Sequence, residues 1–178
     1  MRFLVLVIGL GLVPQSAPVA GLPPIERHRV GVVEIGASEK TLLDAFPSEH
    51  RQFVDLRLEG MPAPAYRLRF AEATRRDGVV AELIPAQDGL IVWRIQINDP
   101  AFRTRKGIGV GSTVGALRAA YRLDGIASGE GNVAIVVNEL SASFLLDQTG
   151  PDGDDLWKVR APEVVSDAVR IAGVLLFR

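Results

Sequence analysis

The chain has 178 residues, no cysteine, 48% hydrophobic residues and a formal charge of −1 from 20 basic and 21 acidic side chains. Without a basic excess it does not read as a general nucleic-acid binder, and it is too apolar for a disordered chain. The lack of cysteine excludes a disulfide framework and thiol chemistry.

The first twenty residues read as an export leader. Arg2 supplies a short positive head, and Phe3 to Val13 is an uncharged apolar run, too short to span a bilayer. Pro14 breaks it, and Gln15 to Ala20 is small and polar, so the mature start is expected near Gly21 or Leu22. Loss of Arg2 leaves 19 basic against 21 acidic groups, or −2. With no cysteine after the apolar run there is no site for a lipid anchor, and no later stretch reads as membrane-spanning. A cysteine-free exported chain points to a bacterial periplasm, since small secreted eukaryotic domains usually carry disulfides. The mature part, at roughly 150 to 160 residues, is long enough to stabilise itself as one domain by core burial.

Gly21 to Glu26, with Pro23 and Pro24, reads as an N-terminal arm, and Arg29 to Ile35 is β-rich. Gly36-Ala37-Ser38 leads into a short helix ending near Phe46, with Ser38 as N-cap, Leu42, Leu43 and Phe46 as its buried side and Pro47 as its stop. Period-two alternation then dominates. Val54, Leu56 and Leu58 alternate with Asp55, Arg57 and Glu59; Tyr66, Leu68 and Phe70 with Arg67 and Arg69; and Ile91, Trp93, Ile95 and Ile97 with Arg94, Gln96 and Asn98. Such runs predict an antiparallel sheet with one covered and one wet face. Gln87-Asp88-Gly89 reads as a hairpin turn. In the second half, Ile108 to Thr113 precedes a helix over about Val114 to Tyr121, and strands are expected near Val133–Val137, Ser141–Leu146, Leu156–Val159 and Val169–Phe177.

The two helix entries superimpose at an offset of 75 residues, which lays Gly36 on Gly111, Leu42 on Leu117, Ala45 on Ala120 and Phe46 on Tyr121. This predicts a duplication, with half-repeats at about 29–98 and 102–178, and an α+β fold of mostly antiparallel sheet with two short helices on one face. A glycine-led helix followed by a meander, duplicated at this period, resembles the tandem-repeat β-lactamase inhibitory protein and the SmpA/OmlA type of outer-membrane assembly lipoprotein. The segment Phe102 to Tyr121 also resembles one in uncharacterised secreted bacterial proteins. The lipid-bearing cysteine of the lipoproteins is missing, so membrane anchoring is not implied, and no functional residue carries over.

No segment carries a specific catalytic motif. Gly107-Ile-Gly-Val-Gly-Ser-Thr113 lacks the lysine of a phosphate-binding Walker loop and the spacing of a dinucleotide fingerprint. It reads first as a strand-to-helix turn, and second as an anion site in which Ser112 and Thr113 join Arg103, Arg105 and Lys106, with Arg75 and Arg76 nearby. Asp147, Asp152, Asp154 and Asp155 do not follow calcium-loop spacing, and His28 and His50 are too few for a transition-metal site, so no cofactor or metal is expected. Ser48 and His50 lack a nucleophile-elbow context. The leading expectation is a non-enzymatic exported protein that binds a protein of the cell envelope through Arg67, Arg69, Arg94 and Gln96 on the wet face, with Trp157 as a loop anchor. The alternatives are a hydrolase of cell-wall or small extracellular substrates, which requires His50 and a serine or carboxylates to converge in a pocket, and an anion or lipid-head-group binder using the Gly107–Thr113 loop.

Overall fold

The computed structural model describes residues 21–58, 61–70, 78–149 and 153–178. The expected leader, Arg75, Arg76 and Asp152 lie outside the described residues. The fold is α+β and mostly antiparallel. Three two-residue strands, β1 (Ile25–Glu26), β2 (Arg29–Val30) and β3 (Val33–Glu34), form a small sheet before helix α1 (Glu39–Ala45). Four strands follow: β4 (Arg51–Leu58), β5 (Met61–Leu68), β6 (Val79–Ala86) and β7 (Gly89–Ile97). Helix α2 (Val114–Ala120) then introduces β8 (Gly125–Gly129), β9 (Asn132–Val137), β10 (Ala142–Leu146) and β11 (Ile171–Leu176), with the one-turn α3 (Gly153–Leu156) between the last two.

The eight long strands make one sheet in the order β4-β5-β6-β7-β11-β10-β9-β8. Each half is therefore a helix and a four-stranded meander, and the meanders meet where β7 pairs with β11. Both helices pack on one face. Leu42 of α1 and Leu117 of α2 share a core with Leu68, Val79, Ile97, Val174, Phe144 and Ile135, one buried residue from each of the six central and second-half strands that they cover.

Both helices start in the same way. Gly36 and Gly111 take φ of +91° and +85°, left-handed values that suit glycine. The Gly36 amide donates to the Val92 carbonyl and the Gly111 amide to the Ile171 carbonyl, each at 2.7 Å, so each turn is tied to the last strand of its own meander. The hydroxyls of Ser38 and Thr113 then accept from Thr41 and Ala116 amides at 3.2 Å as N-caps. In each half the docking carbonyl lies beside a register shift, between Glu82 and Leu83 opposite β7, and between Leu145 and Leu146 opposite β11.

These shifts correct the alternation read from β7. The bulge puts Val92 in the core with Ile95 and Ile97, so Trp93 leaves the face it was expected to share with Ile95. Leu156–Val159 is not a strand but the end of α3 and a turn, whereas β8 was not foreseen. Its sequence, Gly-Ile-Ala-Ser-Gly, has none of the alternating bulk that marks a half-buried strand. The prolines of Met61-Pro62-Ala63-Pro64 have a clear consequence. Both fall at positions whose N–H would turn towards β6, and β5 pairs with β6 only from Ala65 to Leu68. The distal β4–β5 hairpin thus extends past the end of that ladder.

The face turned away from the helices is not uniformly wet. Ala65, Val80, Glu82, Ala134, Ser143 and Leu145 are all buried there. The cause is curvature. The turn between β8 and β9 would sit roughly 15 Å or more from β7 in a flat sheet, at about 4.8 Å per strand. Yet Arg94 of β7 reaches Glu130 of that turn at 3.1 Å. The sheet therefore curls, and its second-half edge folds over the inner face.

Candidate functional site

Among the described residues, two concave regions stand out on this inner face. The first, about 250 Å³, sits beneath the β8–β9 turn and is lined by Arg94, Ser128, Glu130, Asn132 and Ser143 among others. Its charged groups are already matched. The Nε and Nη2 of Arg94 both donate to Glu82 Oε2 at 2.9 Å, and its Nη1 to Glu130. The Glu82 side chain is 1% exposed and that of Arg94 12%. Burial pushes the Glu82 carboxyl above the usual carboxylate range, although Arg94 pulls the other way. Arg94 also lies over the Trp93 ring, 4.8 Å from its centroid. The expected exposure of Arg94 is thus corrected: curvature puts it inside an ion-paired cluster. Gln96 is half-buried and donates to Asn98 at 3.0 Å.

The second region is a cleft of about 380 Å³ at the β4–β5 end of the sheet, lined by Ser48, Glu49, His50, Arg51, Gln52, Arg67 and Arg69. Its construction follows from local sequence. Pro47 ends the chain's exit from α1 and starts a 3-10 turn, Ser48–His50, which delivers the chain into β4. Arg51 donates to the carbonyls of Leu43 and Phe46 and so caps the open end of α1. Gln52 pairs across the ladder with Arg67, and both point to the inner face because Phe53 and Tyr66, the next pair along the ladder, meet on the helix side with ring centroids 5.4 Å apart. Tyr66 is itself tethered to α1 through its hydroxyl, which donates to Glu39 at 2.8 Å. Arg69 follows, its amide bonded to the His50 carbonyl at 2.9 Å. Among the described residues, Arg51, Arg67, Arg69 and His50 line this cleft together with Glu49, the Arg51 guanidinium being turned back onto α1. The sequence reading named Arg67 and Arg69 but missed Arg51 and Gln52; the signal it lacked was the pairing of β4 with β5.

Ser48 and His50 both line this cleft. The Ser48 hydroxyl, however, donates to the Glu49 carboxylate at 3.3 Å, and Glu49's own backbone amide, with a smaller part from this bond, holds the carboxyl below its usual range. Residues two apart in a tight turn project to different sides, which is poor geometry for a nucleophile and its base.

The Gly107–Thr113 loop is satisfied from within. Gly107 and Ile108 amides donate to Thr104, the Gly109 amide to the Ser112 hydroxyl, and the Ser112 amide to the Gly109 carbonyl. Arg105 pairs with Glu26. Lys106 donates to the Ala120 carbonyl at 2.9 Å and to Glu139 at 3.2 Å, above the Tyr121 ring. Arg103 is buried, its Nη1 donating to Ser112 at 3.0 Å, and burial lowers its pKa. These groups are brought together as the walls of a strand-to-helix turn.

Trp157 is 41% exposed beside α3, remote in sequence from both cavities. Asp147 accepts from Thr149 and Asp155 pairs with Lys158. Among the described residues no group of three or more His, Asp or Glu side chains could hold a metal ion, and no described helix is long and apolar enough to cross a membrane.

The fold is similar to that of the uncharacterized protein yfeY from Escherichia coli, whose crystal structure matches with a TM-score of 0.57 at 12% identity, over 87% of this chain and 99% of that one. At that identity the likeness is one of fold alone. No protein-family model and no curated protein matches the chain. Nothing in these comparisons supports the expected resemblance to the β-lactamase inhibitory protein or to the SmpA/OmlA lipoproteins.

Proposed function

We propose that this is an exported, non-enzymatic binding protein that recognises an acidic partner protein of the cell envelope through the cleft of His50, Arg51, Gln52, Arg67 and Arg69. The observation that carries this reading is that Gln52 and Arg67, paired across the β4–β5 ladder, open into one cleft beside His50 and Arg69. Guanidinium groups there are suited to carboxylates, which they bind in a planar two-point geometry. Of the four residues first assigned to a wet sheet face, Arg67 and Arg69 belong to this surface, while Arg94 and Gln96 support the inner face from within.

The leader-like first twenty residues support placing the partner in the envelope. The matched turns at Gly36 and Gly111 support the reading of two copies of one unit, and the basic cleft lies in the first. N-terminal sequencing of the product recovered from the periplasm or medium, with a start near Gly21 or Leu22, tests export. Binding is tested by titrating a glutamate-rich peptide into the mature chain. Arg67→Ala with Arg69→Ala is expected to weaken it about tenfold or more, and added salt to weaken the wild-type interaction. Equal affinity in the double variant would remove the cleft from the account.

A further inference from the structure

β4 is the first strand of the sheet, and among the described residues nothing pairs with its outer edge. The phase of its hydrogen bonds is set where it begins. The Arg69 amide donates to the His50 carbonyl, so in the antiparallel ladder Gln52 and Val54 turn their N–H and C=O groups towards β5. Arg51, Phe53 and Asp55 turn theirs outward. Natural edges are usually blunted by charge, proline or a bulge. β4 carries charge at Arg51 and Asp55, but it runs eight residues without a register shift, and between those two outward-bonding positions lies Phe53, 54% exposed.

The two faces of that edge differ in chemistry. On the helix side stands Phe53, packed edge-on against Tyr66. On the inner side Gln52 opens into the cleft with Arg67 and Arg69. A strand laid along β4 would send alternate side chains to these two sides. We propose that the partner docks by strand addition: an extended segment of an acidic protein pairs with the outward groups of Arg51, Phe53 and Asp55, placing carboxylates in the cleft and an apolar residue against Phe53. This rests on the binding reading above and specifies its ligand as a backbone-paired segment in which acidic and apolar residues alternate. Main-chain bonds supply affinity, and the two rows of side chains supply selectivity.

The test compares three peptides on the wild-type mature chain: one alternating glutamate with phenylalanine and valine, the same peptide N-methylated on the amides that would face β4, and a scrambled peptide of equal charge. The alternating peptide is expected to bind, with N-methylation and scrambling each weakening it by roughly tenfold or more. Asp55→Pro in the protein removes an outward N–H while leaving the β4–β5 bonds intact, and should produce a comparable loss with an unchanged Tm. Should that variant misfold, the methylated peptide on the wild-type chain still decides. Equal binding of the methylated peptide, with loss in Arg67→Ala, would overturn strand addition and spare the cleft. Equal binding in Arg67→Ala with Arg69→Ala would overturn the cleft reading itself. Absence of any binding, or an edge occupied by a second copy of the chain in a dimer that Asp55→Pro dissociates, would overturn the proposal.

Discussion

Arg94 on β7 donates to Glu130 at 3.1 Å, although three other strands separate β7 from the far edge strand of the hairpin that carries Glu130. That contact bridges the curl of the sheet, and behind it Arg94 also satisfies the fully buried Glu82. Arg94→Met leaves that carboxylate without its partner and is expected to cost about 3 kcal/mol, whereas Glu130→Gln, at a partly exposed site, should cost under about 1 kcal/mol. Urea unfolding of both variants separates the two contributions.

Glu82 also sets a pH dependence. Its folded-state pKa lies above the ordinary glutamate value of 4.5 because burial disfavours the charge. Below that value both folded and unfolded chains hold the proton, and nothing is lost. As pH rises past 4.5 the unfolded chain releases its proton first, so the native state loses stability until its own raised pKa is passed. Glu82→Gln has no proton to lose. The stability of wild type relative to Glu82→Gln should therefore fall as pH rises through this window and then level off, as read by Tm across a pH series. A flat difference would contradict the burial argument.

The paired helix entries predict paired costs. A methyl at Gly36 or Gly111 meets no atom within 4 Å, so Gly→Ala at either position is a test of the positive φ alone. Each should cost about 1–2 kcal/mol, and Ser38→Ala and Thr113→Ala about 1 kcal/mol each, measured by chemical denaturation. Gly109 is different. Its added Cβ would come within 2.3 Å of the Phe102 carbonyl oxygen, so Gly109→Ala should cost about 1–3 kcal/mol through overpacking.

Much of this architecture is legible in the sequence. Gly36-Ala37-Ser38 and Gly111-Ser112-Thr113 announce two capped helices, and Gln87-Asp88-Gly89 announces the β6–β7 hairpin, because those turns depend on residues adjacent in the chain. The bulge at Trp93 and Arg94 is different, since it depends on which strand lies opposite. Period-two alternation assigns a residue to one of two faces but does not say whether a distant hairpin covers that face. Arg94 and Arg67 look alike in sequence for this reason. One is buried by Glu130 from another hairpin, and the other opens into a cleft assembled by the turn after Pro47. Nor do the prolines of β5 announce which of its two ladders they interrupt until the register with β4 is known.

Amide chemical shifts of the 15N-labelled mature chain test the location of the binding surface most directly. On titration with the alternating acidic peptide, the largest shifts should fall on His50 to Asp55, Arg67 and Arg69, with the amides of Phe53 and Asp55 gaining protection from hydrogen exchange. Shifts centred on the Gly107–Thr113 loop, on the cavity beneath the β8–β9 turn or on Trp157 would contradict it.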